Sequence, residues 1–329
     1  MIYLRFLGVV FRLCQEAFWH HPRMVRFLQR EVQRACGDTV FPETVWRRIG
    51  LNVMVAQLVQ VFVALLHGQP LSSSDRKKSA FLGAVTPLVD DLTDHRQLST
   101  AQILDYLTVP GATDRAQRAL QYLYRQLFPG SAVFRAAFLS ALQAQEASLS
   151  QLGASRLAHE ALQAITREKG ARAFVWLRHG LRTPLVAGEA EACETLGFVL
   201  QLVNDLFDLY KDREAGQQTL LTNATDLRPF EALFRQEVAR LAMQYRQLPL
   251  PAVAKARSWA FIVPILGVSE VCLQQLLRLQ GEATSFDAQR HSRQQLVCDL
   301  AKWPNRVAAM RHSVALLRAW QREIIPPKA

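Results

Sequence analysis

Along most of the chain, apolar residues return at the spacing of an α-helix, and runs that alternate apolar and polar residues are nearly absent. The pattern predicts an all-α protein. Breakers at Gly68–Ser74, Pro110–Thr113, Pro129–Gly130, Gly153, Gly188, Leu248–Pro251, Gly281–Ser285 and Pro304 divide it into about ten helices. Ser74-Asp75 is placed to cap a helix through Ala80–Asp94, and Thr113-Asp114 to cap one over Ala116–Phe128. The polar gaps are short, no repeat period is visible, and only the tail Pro326–Ala329 reads as flexible. One helical domain over residues 1–329 is therefore the economical expectation.

Two apolar runs raise the question of a membrane. Leu51–Leu66 is interrupted by Gln57 and Gln60, and Trp259–Leu277 by Pro264, Ser269 and Glu270. Both fall short of the roughly 20 clean apolar residues of a spanning helix, so they read as buried core helices and no transmembrane segment is expected. Met1–Cys14 is apolar but carries Arg5 and Arg12. It predicts an N-terminal amphipathic helix, about residues 1–20, packed on the body, with a weak membrane-surface contact as a further expectation.

Composition narrows the functional classes. Half of the residues are hydrophobic and 20% are charged, which excludes a disordered or fibrous chain. The net charge of +11 suits an anionic partner, but the arginines are scattered over every helix and form no stripe or arm. A small polyanion such as a diphosphate explains the charge as well as nucleic acid does, so the charge supports an anionic ligand without choosing one, and no nucleic-acid partner is expected. The five cysteines lie far apart without a CxxC pair or a zinc-like His spacing, so they read as buried free thiols in a reducing, cytoplasmic setting. The oligomeric state stays open, with a homodimer as one expectation.

Chemistry concentrates in two acidic clusters. The first, Asp90-Asp91-Leu92-Thr93-Asp94, follows the apolar run Phe81–Val89. On a helix Asp94 lies four residues from Asp90 and three from Asp91, so the three carboxylates share a face and repel one another unless a hard cation sits between them. In the second, Asn204, Asp208 and Asp212 recur every fourth residue, with Gln201 and Gly197 extending the stripe toward the N-terminus of an otherwise apolar helix. No basic residue shares this stripe, and unpaired carboxylates in a core are expensive. A bound metal ion removes that cost.

Asp90-Asp91-x-x-Asp94 resembles the aspartate-rich motif of class I terpene synthases, and the segment Asn204–Asp212 is similar to their NSE/DTE motif. The order matches, as does the separation of 114 residues (204 − 90), and the likeness covers about Phe81 to Asn223. The resemblance implies an antiparallel helical bundle around a central apolar cavity. It further implies three Mg2+ ions, with Mn2+ as a substitute: two held by Asp90 and Asp94, the third by Asn204, Asp208 and Asp212, with Asp91 completing the catalytic set. Lys211 and Arg213 resemble diphosphate contacts, and Phe198 and Phe207 resemble walls for the hydrocarbon chain. A diphosphate-sensing arginine is expected upstream of the second motif, where Arg156, Arg167, Arg172, Arg178 and Arg182 stand as candidates and the pair Arg178 and Arg182 flanks a helix break at Gly180 and Pro184. Asp208 and Asp212 replace the usual Ser or Thr and Glu of the motif. That substitution moves the site toward the doubly acidic second motif of prenyltransferases and squalene or phytoene synthases.

By this resemblance the substrate is a linear prenyl diphosphate, farnesyl or geranylgeranyl, which is ionised to an allylic cation held in an aromatic pocket. Phe81, Phe174, Trp176, Trp259 and Phe261 are further aromatic candidates. The expected reaction is cyclisation. The rival within the fold is an enzyme that couples two prenyl units, and the rival outside it is a non-catalytic helical scaffold or nucleic-acid binder.

Overall fold

The computed structural model describes residues 2–37, 41–94, 96–112, 114–127, 131–181, 183–281 and 285–324, which are all-helical, with no strand among them. The N-terminal half carries α1 (Ile2–Gln15), α2 (His21–Cys36), α3 (Glu43–Leu66), α4 (Ser73–Asp94), α5 (Thr100–Thr108), α6 (Arg115–Leu127) and α7 (Ala132–Ser148). The C-terminal half carries α8 (His159–His179), α9 (Glu189–Glu214), α10 (Arg228–Gln247), α11 (Ala252–Gln280), α12 (Arg293–Leu296) and α13 (Trp303–Ile324). A five-residue π-turn, Glu16–His20, joins α1 to α2.

Helix starts follow local hydrogen bonding more closely than composition. α4 begins at Ser73, about two turns before Ala80, because Ser72 and not Ser74 caps it: the Ser72 hydroxyl accepts the Asp75 N–H at 3.1 Å, and the Asp75 carboxylate accepts the Ser72 N–H at 3.1 Å. The cap of α6 is the Asp114 carboxylate, which accepts the Gln117 N–H at 2.7 Å. Thr113, Phe128, Pro129, Gly130 and the tail Pro326–Ala329 lie outside the described residues. α5 opens on a reciprocal Ser99–Gln102 capping box.

The helices gather into two compact units. One comprises residues 8–147 and 172–185, the other residues 1–7, 148–171 and 186–329. No linker betrays this division, because the chain changes unit inside α1, inside α7 and inside α8. In the first unit, α3 and α4 pack so closely that a Cβ on Gly83 would lie within 3.0 Å of the Asn52 carbonyl and the Val53 backbone. Aromatic contacts add to its largely aliphatic core: Phe134 and Phe138 lie 6.4 and 5.3 Å from the Trp176 ring, and Phe62 lies 6.4 Å from Phe174. Burial of such side chains stabilises by about 1.5–3 kcal/mol each.

The second unit is built on α9, α10, α11 and α13. Gly267 of α11 meets Ala309 and Ser313 of α13 with no room for a side chain, and Trp259 stacks on Trp320 at 4.8 Å. α3 and α11 are the helices long and apolar enough to cross a membrane among the described residues, yet 61% of each apolar window is buried within the protein. Their role as core helices stands.

The cysteines depart from the uniform burial expected of them. Cys193 and Cys272 are buried, Cys36 and Cys298 half-buried, and Cys14 exposed. Cys272 and Cys298, apart in sequence, share a hydrogen bond that raises the thiol pKa of the first and lowers that of the second.

Candidate functional site

The first acidic cluster ends α4. The preceding turns, Phe81–Val85 and Pro87–Val89, are buried, and the chain surfaces at Asp90 and Asp91, with Asp94 exposed. The carboxylates do not remain a mutually repelling set. Arg48 of α3 meets Asp91 at 2.7 Å and also donates to the Pro87 carbonyl at 3.2 Å, so it fastens the last turns of α4 to α3. Asp94 accepts a hydrogen bond from the Gln145 amide of α7 at 2.9 Å. Asp90 and Asp94 lie one turn apart on the same helix.

The second cluster lies in the middle and C-terminal half of α9. Steps of four residues advance about 40° beyond a full turn, so the predicted stripe drifts. Asn204 is exposed, Asp208 half-buried and Asp212 buried. A straighter stripe runs Gln201, Asp205, Asp208, Asp212, spaced four, three and four residues apart. Asp205 was not among the predicted site residues. Its Oδ1 accepts from the Gln201 amide at 2.9 Å, while its Oδ2 is buried with no hydrogen-bond partner.

Electrostatics distinguish this stripe. Burial pushes the Asp205 carboxyl up to about 6, against the pull of Gln201 and of Lys169 on α8. Burial and then the negative charges of Asp205 and Asp208 push Asp212 up to about 7, against Lys211 and Lys169. Among the described residues, no lysine or arginine pairs directly with Asp205 or Asp212. Lys211 lies 3.5 Å from Asp208 and is largely exposed.

Gly197, at the head of the stripe, leaves room for a close approach. That approach is made by α8: a Cβ on Gly170 would fall within 3.0 Å of the Gly197 carbonyl and of Gln201. This contact sets α8 against α9 and brings Lys169, the residue before Gly170, to the acidic stripe. Sequence reading missed Lys169 because nothing local to it is acidic. The one available signal was a pair of glycines on separate helices.

The remaining candidates divide. Arg178 is 1% exposed, and its guanidinium donates to the carbonyls of Thr183 at 2.8 Å and Pro184 at 3.2 Å, so it closes the end of α8. Arg182 lies outside the described residues. Arg213 donates to the Ala288 and His291 carbonyls at 2.9 and 2.6 Å, which ties down the segment before α12. Arg167 bonds Glu237 at 2.8 Å and covers the Phe198 ring at 4.0 Å, so Phe198 is core. Arg156 donates to the Asn223 carbonyl. Phe207, 38% exposed, keeps an open ring beside Asp208 in sequence.

The donor set on α9 suits a hard divalent cation. Asp208 and Asp212 supply carboxylate oxygens one turn apart, and the Asp205 Oδ2 has no hydrogen-bond partner among the described residues. Mg2+ is commonly held by one or two carboxylates plus substrate phosphates. Among the described residues, no group of three or more His, Cys, Asp or Glu is placed to hold a metal ion by itself.

No family model matches the chain, and no curated protein matches it either. Among solved structures it is similar to one described as the crystal structure of a dehydrosqualene synthase in complex with ligand, at 15% identity and a TM-score of 0.41, over 93% of this chain and 98% of that one. A likeness this loose in both sequence and superposition leaves the chain without an assigned family.

Proposed function

We propose that the chain is a magnesium-dependent enzyme that ionises prenyl diphosphates and joins two prenyl units. The observation that carries the reading is the spacing of two carboxylate pairs. Asp90 and Asp94 lie four residues apart on α4, and Asp208 and Asp212 lie four residues apart on α9. Two equal carboxylate pairs, each at the end of an apolar helical run, suit two diphosphate groups better than one.

In this reading Asp208 and Asp212 would hold Mg2+ at α9, and Asp90 and Asp94 would do so at α4. An ion held there would supply positive charge to the departing diphosphate, whose oxygen would keep the electrons of its broken bond to the allylic carbon. Lys211 and Lys169 add positive charge beside the α9 pair, and Asp205 behind it strengthens the negative field that draws a cation in. Phe207 offers an open ring face to the apolar chain and to a passing carbocation.

A second reading, cyclisation of a single linear chain, is supported by Asn204, which stands exposed one turn before Asp208, as in the cyclase-like motif. One experiment separates the two. The protein is incubated with Mg2+ and geranyl, farnesyl or geranylgeranyl diphosphate in turn, and released diphosphate and product carbon number are measured. Coupling gives a product with more carbons than its substrate. Cyclisation gives one with the same number. Absence of Mg2+-dependent diphosphate release from all three substrates overturns both readings.

A further inference from the structure

The N-terminal helix, which runs from α1 through the π-turn into α2, is built inside out. Around α1 and the π-turn, Phe11, Cys14, Phe18 and Trp19 form one exposed face that continues to Pro22 and Arg26, and the three aromatics are 72%, 80% and 57% exposed. The opposite face buries a charge. Glu16 is 0% exposed, with Arg76 of α4 donating to both of its oxygens and Arg12 at 3.8 Å. An amphipathic helix packed on a core for stability alone would do the reverse. Two arginines are spent on holding a carboxylate inside while three large rings face outward, an arrangement that marks a contact surface.

The charge around these rings is one-sided. Residues 8–36 contain five arginines and two glutamates. Glu16 is buried, and Glu31 is bonded by Arg34 at 3.2 Å and the Tyr122 hydroxyl at 3.0 Å. The Arg23 guanidinium lies 4.0 Å over the Trp19 ring, which holds the indole and a cation at one level. Beside this face a groove of about 660 Å3 runs between α2 and α3, bounded by Pro22, Val25, Trp46, Leu51 and Met54. Leu51 and Val55 extend the apolar surface into solvent.

We propose that this face docks the protein on an anionic lipid bilayer. Phe11, Phe18 and Trp19 would enter the headgroup–acyl boundary, Arg23 and Arg26 would lie at the anionic headgroups, and the α2–α3 groove would take an acyl chain. A second copy of the chain is disfavoured as occupant, because a symmetric contact would set these arginines against themselves. All of the residues named belong to one compact unit. The proposal does not depend on the prenyl-diphosphate reading, since it concerns binding and not turnover.

The test uses the full chain and vesicles of phosphatidylcholine alone or with a third of phosphatidylglycerol. Flotation should recover the protein with the anionic vesicles, with binding falling as salt is raised. Phe11→Ser/Phe18→Ser/Trp19→Ser should weaken partition at least about tenfold. Val253→Ser, another exposed apolar position, should change nothing, and circular dichroism should show both variants folded. In a Trp46→Phe/Trp303→Phe background, which removes the groove indole and the other strongly exposed one, brominated lipids should quench fluorescence, and Trp19→Phe should abolish that quenching. Equal partition of the triple variant and the parent protein overturns the proposal, as does equal binding to neutral and anionic vesicles. So does a face that, without vesicles, mediates self-association which the triple variant abolishes.

Discussion

At the end of α4 the acidic residues are held by neighbours, Asp91 by Arg48 at 2.7 Å and Asp94 by Gln145 at 2.9 Å. On α9 the same type of side chain is buried with too little countercharge: Asp205 keeps an unpartnered oxygen, and Asp212 is pushed up to about 7. Both helices reach their carboxylates through an apolar run, so hydropathy alone makes them look alike. What separates them is which helix packs alongside. α3 brings an arginine to α4, whereas α8 brings a lysine only near α9.

The largest expected difference is in turnover. Asp208→Ala or Asp212→Ala should lower Mg2+-dependent diphosphate release by about 10²–10³-fold, the scale of losing a principal stabiliser of developing charge. Asp91→Ala should cost less than about tenfold, because its partly exposed ion pair with Arg48 is worth about 0–1 kcal/mol. Steady-state release assays on the three variants decide the matter. If Asp91→Ala proves as damaging as the others, Asp91 does more than anchor α4.

A smaller effect should follow from prising apart the helix pairs that create the contrast. Gly170→Ala would press a methyl against the Gly197 carbonyl, and Gly83→Ala would press one against the α3 backbone, so each should lose about 1–3 kcal/mol in urea unfolding. Gly50→Ala, whose added carbon would sit at an ordinary 3.8 Å from Val25, should instead gain up to about 1 kcal/mol. If Gly170→Ala keeps parental stability, α8 does not hold α9 as tightly as the contact implies.

The smallest effect is a pH slope. The carboxyl of Asp212 binds its proton more tightly in the folded chain, with its pKa pushed up to about 7, than an aspartate in the unfolded chain does, at about 4. Its contribution is therefore complete below about pH 4 and is lost as pH rises to about 7 and beyond. Without divalent cations, Tm should fall by a few degrees between pH 5 and 8, and Asp212→Asn should flatten that fall. Added Mg2+ should restore stability at the alkaline end. A Tm that rises over the same interval in the parent but not in the variant contradicts the assigned burial.

Period and spacing carried the helices and both acidic clusters, because these are local properties of the chain. Asp205 was within reach of the same reasoning, since Gln201, Asp205, Asp208 and Asp212 follow the spacing of one helix face more faithfully than the chosen stripe. Arg48, Gln145 and Lys169 were not, for each comes from a different helix and depends on which pairs pack. Three of the four boundaries between the two units cut helices, and the fourth falls in the short gap between α8 and α9, so no long polar linker marked them. The outward aromatics were also hidden: an apolar helix start reads as inward-facing until Glu16 is seen bonded by Arg76.

The unit of residues 8–147 and 172–185 draws part of its core from the short return segment, where Trp176 packs against Phe134 and Phe138, and Phe174 against Phe62. During synthesis, its first seven helices would leave the ribosome well before that plug. The earlier segment can collapse but cannot complete its aromatic core until residue 185 has emerged, by which time α8 is also made. A nascent chain halted just past α7 should thus be a sticky, chaperone-dependent species. Release by only some forty more residues should allow it to close.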